Sequence, residues 1–471
     1  MKKLTYIAAA ALFALNLASC KDEDGNPYPD GDGAVSVSRV YLLDADADEA
    51  KGELKEREVT FARLGQTIRL EGANFGGTLK VLVNGYETYF NTALATDNSM
   101  IFSLSGTTPV AGADESVRNK IQFVKSSGTY SYDFTIRAAS PAISAISPSL
   151  PQPGETVKVS GFNLEEVSEI TLPGGVKVTD GIVNAPEEET GEWFTFVMPS
   201  GITESGAISI TGANGQAISG TYFNDFDCFI TDFDGKGELG SWSATFSADD
   251  LVDDPLNSGR GKVAMLIPGL GVADAKYENG VNPGVDHIEY WATAGNDNDN
   301  DDWTRMTSKI PAETSLDELA IQFDIYVDGV WSETGQLEIS LANNLNSYGY
   351  GSANASPGNS GVVSGAAVWV PWLDKSNPAV PVPYATEAWQ TVTIPLTDFG
   401  EFADGEAHVF QEAIDLRNNC SYKNFLVFAS NANLKYGDEE GQVYEAKVFD
   451  TKIYIDNFRV VNTKTTTVSD F

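Results

Sequence analysis

The feature that most restricts the fold of this chain is an ungapped internal repeat. Gly65-Gln-Thr-Ile-Arg-Leu-Glu-Gly-Ala-Asn-Phe75 aligns with Gly154-Glu-Thr-Val-Lys-Val-Ser-Gly-Phe-Asn-Leu164, and the same offset sets Val81, Val83 and Gly85 against Ile170, Leu172 and Gly174. In each copy an apolar pair, Ile68 and Leu70 or Val157 and Val159, alternates with polar residues. Period-two alternation is the mark of a strand with one face in a core. Glycines and Asn74 or Asn163 bracket that strand, as turns with positive φ require. An offset of roughly ninety residues built from short strands predicts two similar β-sandwiches in tandem.

A different unit follows from about Phe226. Seven of the 8 tryptophans, Trp242, Trp291, Trp303, Trp331, Trp369, Trp372 and Trp389, lie beyond that point, and only Trp193 precedes it. Leu319, Ile321, Phe323, Ile325 and Val327 alternate in one run, and Leu337, Ile339 and Leu341 in the next. Val392 with Ile394, Phe425-Leu-Val-Phe428 and Lys452-Ile-Tyr-Ile-Asp-Asn-Phe-Arg-Val460 continue the series. No amphipathic helix of ordinary length stands out. The chain of 471 residues therefore reads as all-β, with two smaller sandwiches before a larger one.

The N-terminus carries Lys2 and Lys3, an apolar run from Leu4 to Ala18 too short to span a bilayer, and Leu17-Ala-Ser-Cys20 followed by Lys21-Asp-Glu-Asp24. A cleaved export signal ending directly before cysteine resembles a bacterial lipobox. Lys21 to Asp24 is similar to the surface-export signal of Bacteroidetes lipoproteins. The resemblance implies lipidation of Cys20 and anchoring in the outer membrane, since acylation with more than one chain holds a protein there durably. Residues 21–34, polar and rich in Gly and Pro, read as a flexible tether.

The net charge of −37 repels nucleic acid and anionic membranes, leaving a neutral, cationic or metal-bound partner. With only His287 and His408, a histidine metal site or a Ser/His/Asp triad has little material. Apart from Cys20 the chain holds Cys228 and Cys420; an exported location permits a bridge between them, and two buried free thiols are the simpler alternative. The acidic run Asp297-Asn-Asp-Asn-Asp-Asp302 lacks the glycine and glutamate of a calcium-binding EF-hand loop and reads as a solvated loop. Asp456 and Asp234 are candidates for a structural calcium; no other cofactor is expected.

The second repeat, with Ile143-Ser-Ala-Ile-Ser-Pro148 before Pro153-Gly154, closely resembles an IPT/TIG immunoglobulin-like domain. The first lacks the Ser-Pro step and carries extra residues around 44–60. Ala138-Ala-Ser-Pro141 joins them. Phe233-Asp-Gly ahead of Trp242, Ala388-Trp-Gln-Thr-Val-Thr-Ile-Pro-Leu396 and Tyr454-Ile-Asp-Asn-Phe-Arg-Val460 resemble segments of carbohydrate-binding jelly rolls. Together the chain resembles the Bacteroidetes surface glycan-binding proteins of the SGBP-B type, with a C-terminal xyloglucan-binding domain. The expected division is 1–19 signal peptide, 20–34 tether, 35–138 and 139–225 immunoglobulin-like spacers, 226–462 jelly-roll-like glycan-binding sandwich, and 463–471 tail.

The resemblance implies capture of a polysaccharide, such as xyloglucan, mixed-linkage β-glucan or a mannan. It also implies partnership with a Sus-like importer and a companion glycan-binding lipoprotein. A flat pyranose face suits an aromatic ring: burying about 100 Å² of apolar surface is worth about 2.5 kcal/mol before entropic costs. Tryptophans in Gly/Pro/Ser loops suit this better than those beside strands. Trp331 lies between two strong strands, and Trp369 with Trp372 follows a Gly/Ser/Asn-rich stretch; in the family such positions carry the sugar. These three form the expected platform, with Tyr348, Tyr350 and Tyr384 in support. Trp242 and Trp389 read as core, while Trp291 and Trp303 are undecided. No hydrolase motif surrounds any acidic residue, so an enzyme is not expected. A surface adhesin is the alternative, since its spacers would look the same.

Overall fold

The computed structural model describes residues 33–44, 55–186, 189–236, 238–239, 248–266, 285–291, 302–341, 366–374, 376–400, 402–419, 425–431, 433–436, 441–466 and 468. The signal peptide, residues 20–32 of the tether, Trp242, the acidic run before Asp302, Tyr348, Tyr350 and Cys420 lie outside them, as does the side chain of Trp291.

Both repeats are sandwiches. In the first, a sheet ordered Lys55–Glu58, Ser36–Asp44, Thr67–Ala73, Ser99–Ser103, Phe90–Ala95 faces one ordered Gly128–Asp133, Lys120–Lys125, Thr78–Val83, Tyr86–Thr88. In the second, Ala142–Ser147, Thr156–Phe162, Trp193–Val197, Val183–Asn184 faces Lys177–Val178, Glu169–Thr171, Ser209–Gly212, Gly215–Ile218. The alternating pairs Ile68/Leu70 and Val157/Val159 are fully buried in their two cores.

The repeat extends to the backbone. Gly72 and Gly161 each sit opposite a β-bulge, and a Cβ there would meet the carbonyl oxygen of Ser36 at 1.9 Å or of Ala142 at 2.0 Å. The bulge residues Ser38 and Ser144 each donate across to a main-chain oxygen, of Glu71 and Ser160 respectively. Asn74 and Asn163, with φ of 62° and 55°, donate to the carbonyls of Ala34 and Ser140. The first copy thus has the immunoglobulin-like fold of the second despite its different opening.

The C-terminal unit pairs two larger sheets. One runs Leu251–Asp253, Lys262–Leu266, Lys452–Asn462, Leu319–Asp328, Gln390–Pro395, with Phe229–Thr231 also on Lys452–Asn462. The other runs Glu238–Leu239, Val285–Trp291, Phe425–Ser430, Gln336–Ser340, Ala367–Trp369. Ile321, Phe323 and Ile325 meet Leu337, Ile339 and Val427 between them.

The alternation in Leu319–Asp328 predicts a polar outer face, yet Gln322 and Asp324 are buried as well. The reason is the middle sandwich. Ala320 and Val461 join its core, and Ser149 donates its hydroxyl to Gln322 Oε1 at 2.9 Å. Arg459 donates to Ser149 Oγ at 2.6 Å. Arg260 holds Asp324 at 2.7 Å and Glu155 at 3.2 Å, and Thr391 donates to Asp324 at 2.7 Å. Buried guanidinium and carboxylate groups thereby pair at the junction. Residues 463–466 of the expected tail are tied to the sandwiches, since Thr466 bridges to Ile218 and Thr463 donates to Glu318.

A helix at Phe410–Asn419 departs from the all-strand expectation. Phe410, Ala413, Ile414 and Arg417 form its buried stripe, and the charged fourth member hides the pattern in sequence. Arg417 lies 4.4 Å over the ring of Trp303, which also stacks on Phe410 at 6.4 Å; Trp303 is core. Trp389 is core too, its indole donating to Asp254 at 3.0 Å. Cys228 is a buried free thiol, pushed up to about 12 by burial.

Candidate functional site

The glycan platform expected from sequence sits at one edge of the C-terminal sandwich. The turn after Leu319–Asp328 leads through Trp331 to Gln336–Ser340, and Trp369 ends the edge strand Ala367–Trp369, opposite Leu337. Trp331 and Tyr384 exchange two main-chain hydrogen bonds of 2.8 Å. Trp331 and Trp369 meet edge to face with centroids 5.7 Å apart, and Trp369 meets Tyr384 the same way at 5.5 Å. Trp372 meets Tyr444 at 4.9 Å. The structure therefore brings Trp331, Trp369 and Tyr384 into one aromatic cluster, while Trp372 pairs with Tyr444 on the other side of the Thr334–Gly335 turn that both buried indoles bond.

It does not expose them equally. Trp331 and Trp372 are both 0% exposed, which corrects their assignment as open sugar-stacking rings. The physical reason lies in their indole N–H groups. Trp331 donates to Thr334 O at 2.7 Å and Trp372 to Gly335 O at 2.8 Å. With its polar atom satisfied by the turn, each ring packs inward, Trp331 on Phe449 at 5.3 Å and Trp372 beneath Tyr444. The turn is fastened in its own right. Thr334 donates to Asn431 at 2.6 Å, accepts the Lys447 N–H, and is flanked by the Glu333–Lys447 ion pair. A Gly/Ser/Thr-rich loop sequence does not reveal that its aromatic ring turns inward.

Trp369 and Tyr384 remain partly exposed, resting on the core through Phe323 and Trp331. Burial raises the Tyr384 phenol above its ordinary value, and its hydroxyl donates to Gln390 at 3.2 Å. Such rings, held rigidly and open on one side, can stack on a flat apolar ligand face at small entropic cost. Sequence alternation also missed that Gln336, Glu338 and Ser340, on the opposite face from Leu337 and Ile339, are buried. Among the described residues Gln336 has no hydrogen-bond partner at either amide atom.

Among the described residues neither calcium candidate gathers a ligand set. Asp234 accepts the Lys262 N–H at 2.9 Å, and Asp456, with Asn457 hydrogen-bonded to it, lies near Arg260. Burial first, then the Asp324 charge, raises the proton affinity of Asp456. Among the described residues no three His, Cys, Asp or Glu side chains converge as a metal site.

Two immunoglobulin-like sandwiches followed by a larger sandwich with an aromatic edge define a multidomain binding protein. A family model for the surface glycan-binding protein B xyloglucan binding domain matches residues 223–462, and the chain belongs to that family of glycan-binding proteins. The chain is similar in fold to surface glycan-binding protein PbSGBP-B from Prevotella bryantii, with a TM-score of 0.62 and 20% identity over 92% of this chain and 99% of that one. A second similar structure is SGBP-B from a complex xyloglucan utilization locus in Bacteroides uniformis, with 18% identity over 91% of this chain and 100% of that one, and a TM-score of 0.44. An IPT/TIG domain-containing protein of Bacteroides ovatus is 26% identical over 200 residues, 42% of this chain. The match spans 37% of that relative's length.

Proposed function

We propose that this chain captures a neutral plant β-glycan at the cell surface and performs no chemistry on it. The observation that carries this reading is the family match over the whole C-terminal sandwich. Trp369, with Tyr384 beside it, supplies the exposed ring surface, and Trp331 and Trp372 act as the packed support beneath. Tyr348 and Tyr350 remain candidates for the same role. The family's description favours xyloglucan; mixed-linkage β-glucan or a mannan would use the same ring chemistry. Cys20, lipidated, anchors the chain in the outer membrane, and the two immunoglobulin-like sandwiches raise the binding unit above it. Proximity to a Sus-like importer and a companion glycan-binding lipoprotein raises the effective concentration, so affinities of roughly −4 to −8 kcal/mol suffice.

The test is affinity electrophoresis of the mature chain through gels containing xyloglucan, mixed-linkage β-glucan or mannan, with reducing-sugar release assayed in parallel. Retardation by at least one polymer without sugar release is expected. No retardation by any polymer, or release of reducing ends, overturns the reading.

A further inference from the structure

The middle sandwich carries an aromatic cleft that the C-terminal site does not use. Its volume is about 480 Å³, and it opens on the outer face of the sheet Ala142–Ser147, Thr156–Phe162, Trp193–Val197. Lys158, Ser160 and Phe162 alternate along one strand, with Trp193 directly opposite Ser160 on the next and Ser144 and Glu192 closing the sides. Phe162 is 67% exposed. The indole of Trp193 is fixed from two directions, its N–H donating to Glu189 and the Lys158 ammonium lying 4.7 Å from its ring centre. An aromatic cluster here is not legible in the sequence, because the two rings are thirty-one positions apart and meet only through strand pairing.

We propose that this cleft is a second contact for the same neutral glycan, which makes the middle sandwich a binding unit as well as a spacer. The proposal rests on the glycan-binding reading of the chain. Three observations select a sugar. First, the volume falls in the range of clefts that enclose small-ligand-sized groups, about 300–1,000 Å³, whereas a stable protein partner needs roughly 800 Å² of surface on each side. Second, rings alternate with hydroxyl, ammonium and carboxylate groups, the mixture that covers an apolar pyranose face while pairing its hydroxyls. Third, two glutamates stand against one lysine on a chain of net charge −37, so anionic sugars, nucleic acid and phospholipid headgroups are repelled.

The experiment titrates the mature full chain with hexasaccharides prepared from the three polymers above, and with the polymers themselves. Wild type is compared with Trp193→Ala, Phe162→Ser and Trp369→Ala, and a thermal melt confirms each fold. The expected result is two oligosaccharide sites per wild-type chain. One is lost in Trp193→Ala and in Phe162→Ser, the other in Trp369→Ala. Polymer affinity in Trp193→Ala should fall about tenfold through lost bivalency. A single wild-type site, or two sites unchanged in Trp193→Ala, overturns this proposal while leaving the C-terminal one standing. Absence of any wild-type binding removes both. Loss in Trp193→Ala of a cross-link to a neighbouring surface protein, with both glycan sites intact, overturns it in favour of protein docking.

Discussion

Truncating Trp331 and Trp369 in parallel separates a ring that builds the edge from a ring that meets the ligand. Trp331 is wholly buried, so Trp331→Ala removes roughly 200 Å² of buried aromatic surface, worth about 5 kcal/mol at 25 cal/mol per Å². Measured Trp→Ala costs in cores run about 3–5 kcal/mol, and the Thr334 carbonyl also loses its indole donor, adding about 1 kcal/mol. A loss of about 4–6 kcal/mol in a sandwich of this size corresponds to a fall in Tm on the order of 10–20 °C. Trp369 is only partly buried, and Trp369→Ala should cost about 1–2 kcal/mol of stability. It should instead weaken glycan binding by about 2 kcal/mol, roughly thirtyfold. Differential scanning calorimetry and affinity electrophoresis on the same samples read both effects. A Trp331→Ala protein that melts like wild type but no longer binds would refute the reasoning, because it would place that indole at the surface.

Other outcomes follow from the same geometry. Asp324→Asn leaves Arg260 and Arg459 facing a neutral amide in a buried junction, and chemical denaturation should show a loss of about 3–5 kcal/mol. Gly161→Ala forces a methyl to within 2.0 Å of the Ala142 carbonyl, whereas the space beside Gly106 is open, so Gly161→Ala should lower Tm and Gly106→Ala should not. His408 has a raised pKa from its contacts with Glu412 and Asp404. Its stabilisation is complete below the unfolded-state value and disappears as pH rises through the folded-state value. His408→Ala should therefore melt below wild type at about pH 5 and together with it at about pH 9. Cys228 should resist thiol-directed alkylation in the native protein and react after unfolding, which peptide mass spectrometry would detect.

Much of the architecture could be read directly from residues. Ile68 and Leu70, with Val157 and Val159, announced the repeated strand, because a sheet with one wet face enforces period two. The glycines at 72 and 161 were visible as part of the repeat, but the carbonyl that each must admit belongs to a strand some twenty to thirty-five residues earlier. Failures arose where a third element altered an environment. The alternation in Leu319–Asp328 predicts polar positions that face water, yet Gln322 faces the middle sandwich, through Ser149, 173 positions away in sequence. Trp331 and Trp372 sit in loop-like sequence, and nothing local shows that backbone carbonyls of Thr334 and Gly335 accept their N–H groups. The helix at Phe410–Asn419 was hidden because a buried arginine completes its apolar stripe.

The clasp formed by Ser149, Gln322 and Arg459 has a mechanical consequence. It fuses the middle and C-terminal sandwiches into one stiff arm, so drag on a captured polymer acts as torque on the joint nearer the N-terminus. That joint is fastened by the exposed Arg118–Glu166 pair and by Asn214, which accepts from Arg63 and from the Ala138 N–H. Water competes for the Arg118–Glu166 pair far more readily than for the buried clasp, so under load that pair gives first and the buried Arg63–Asn214 bond is left as the pivot about which the arm turns.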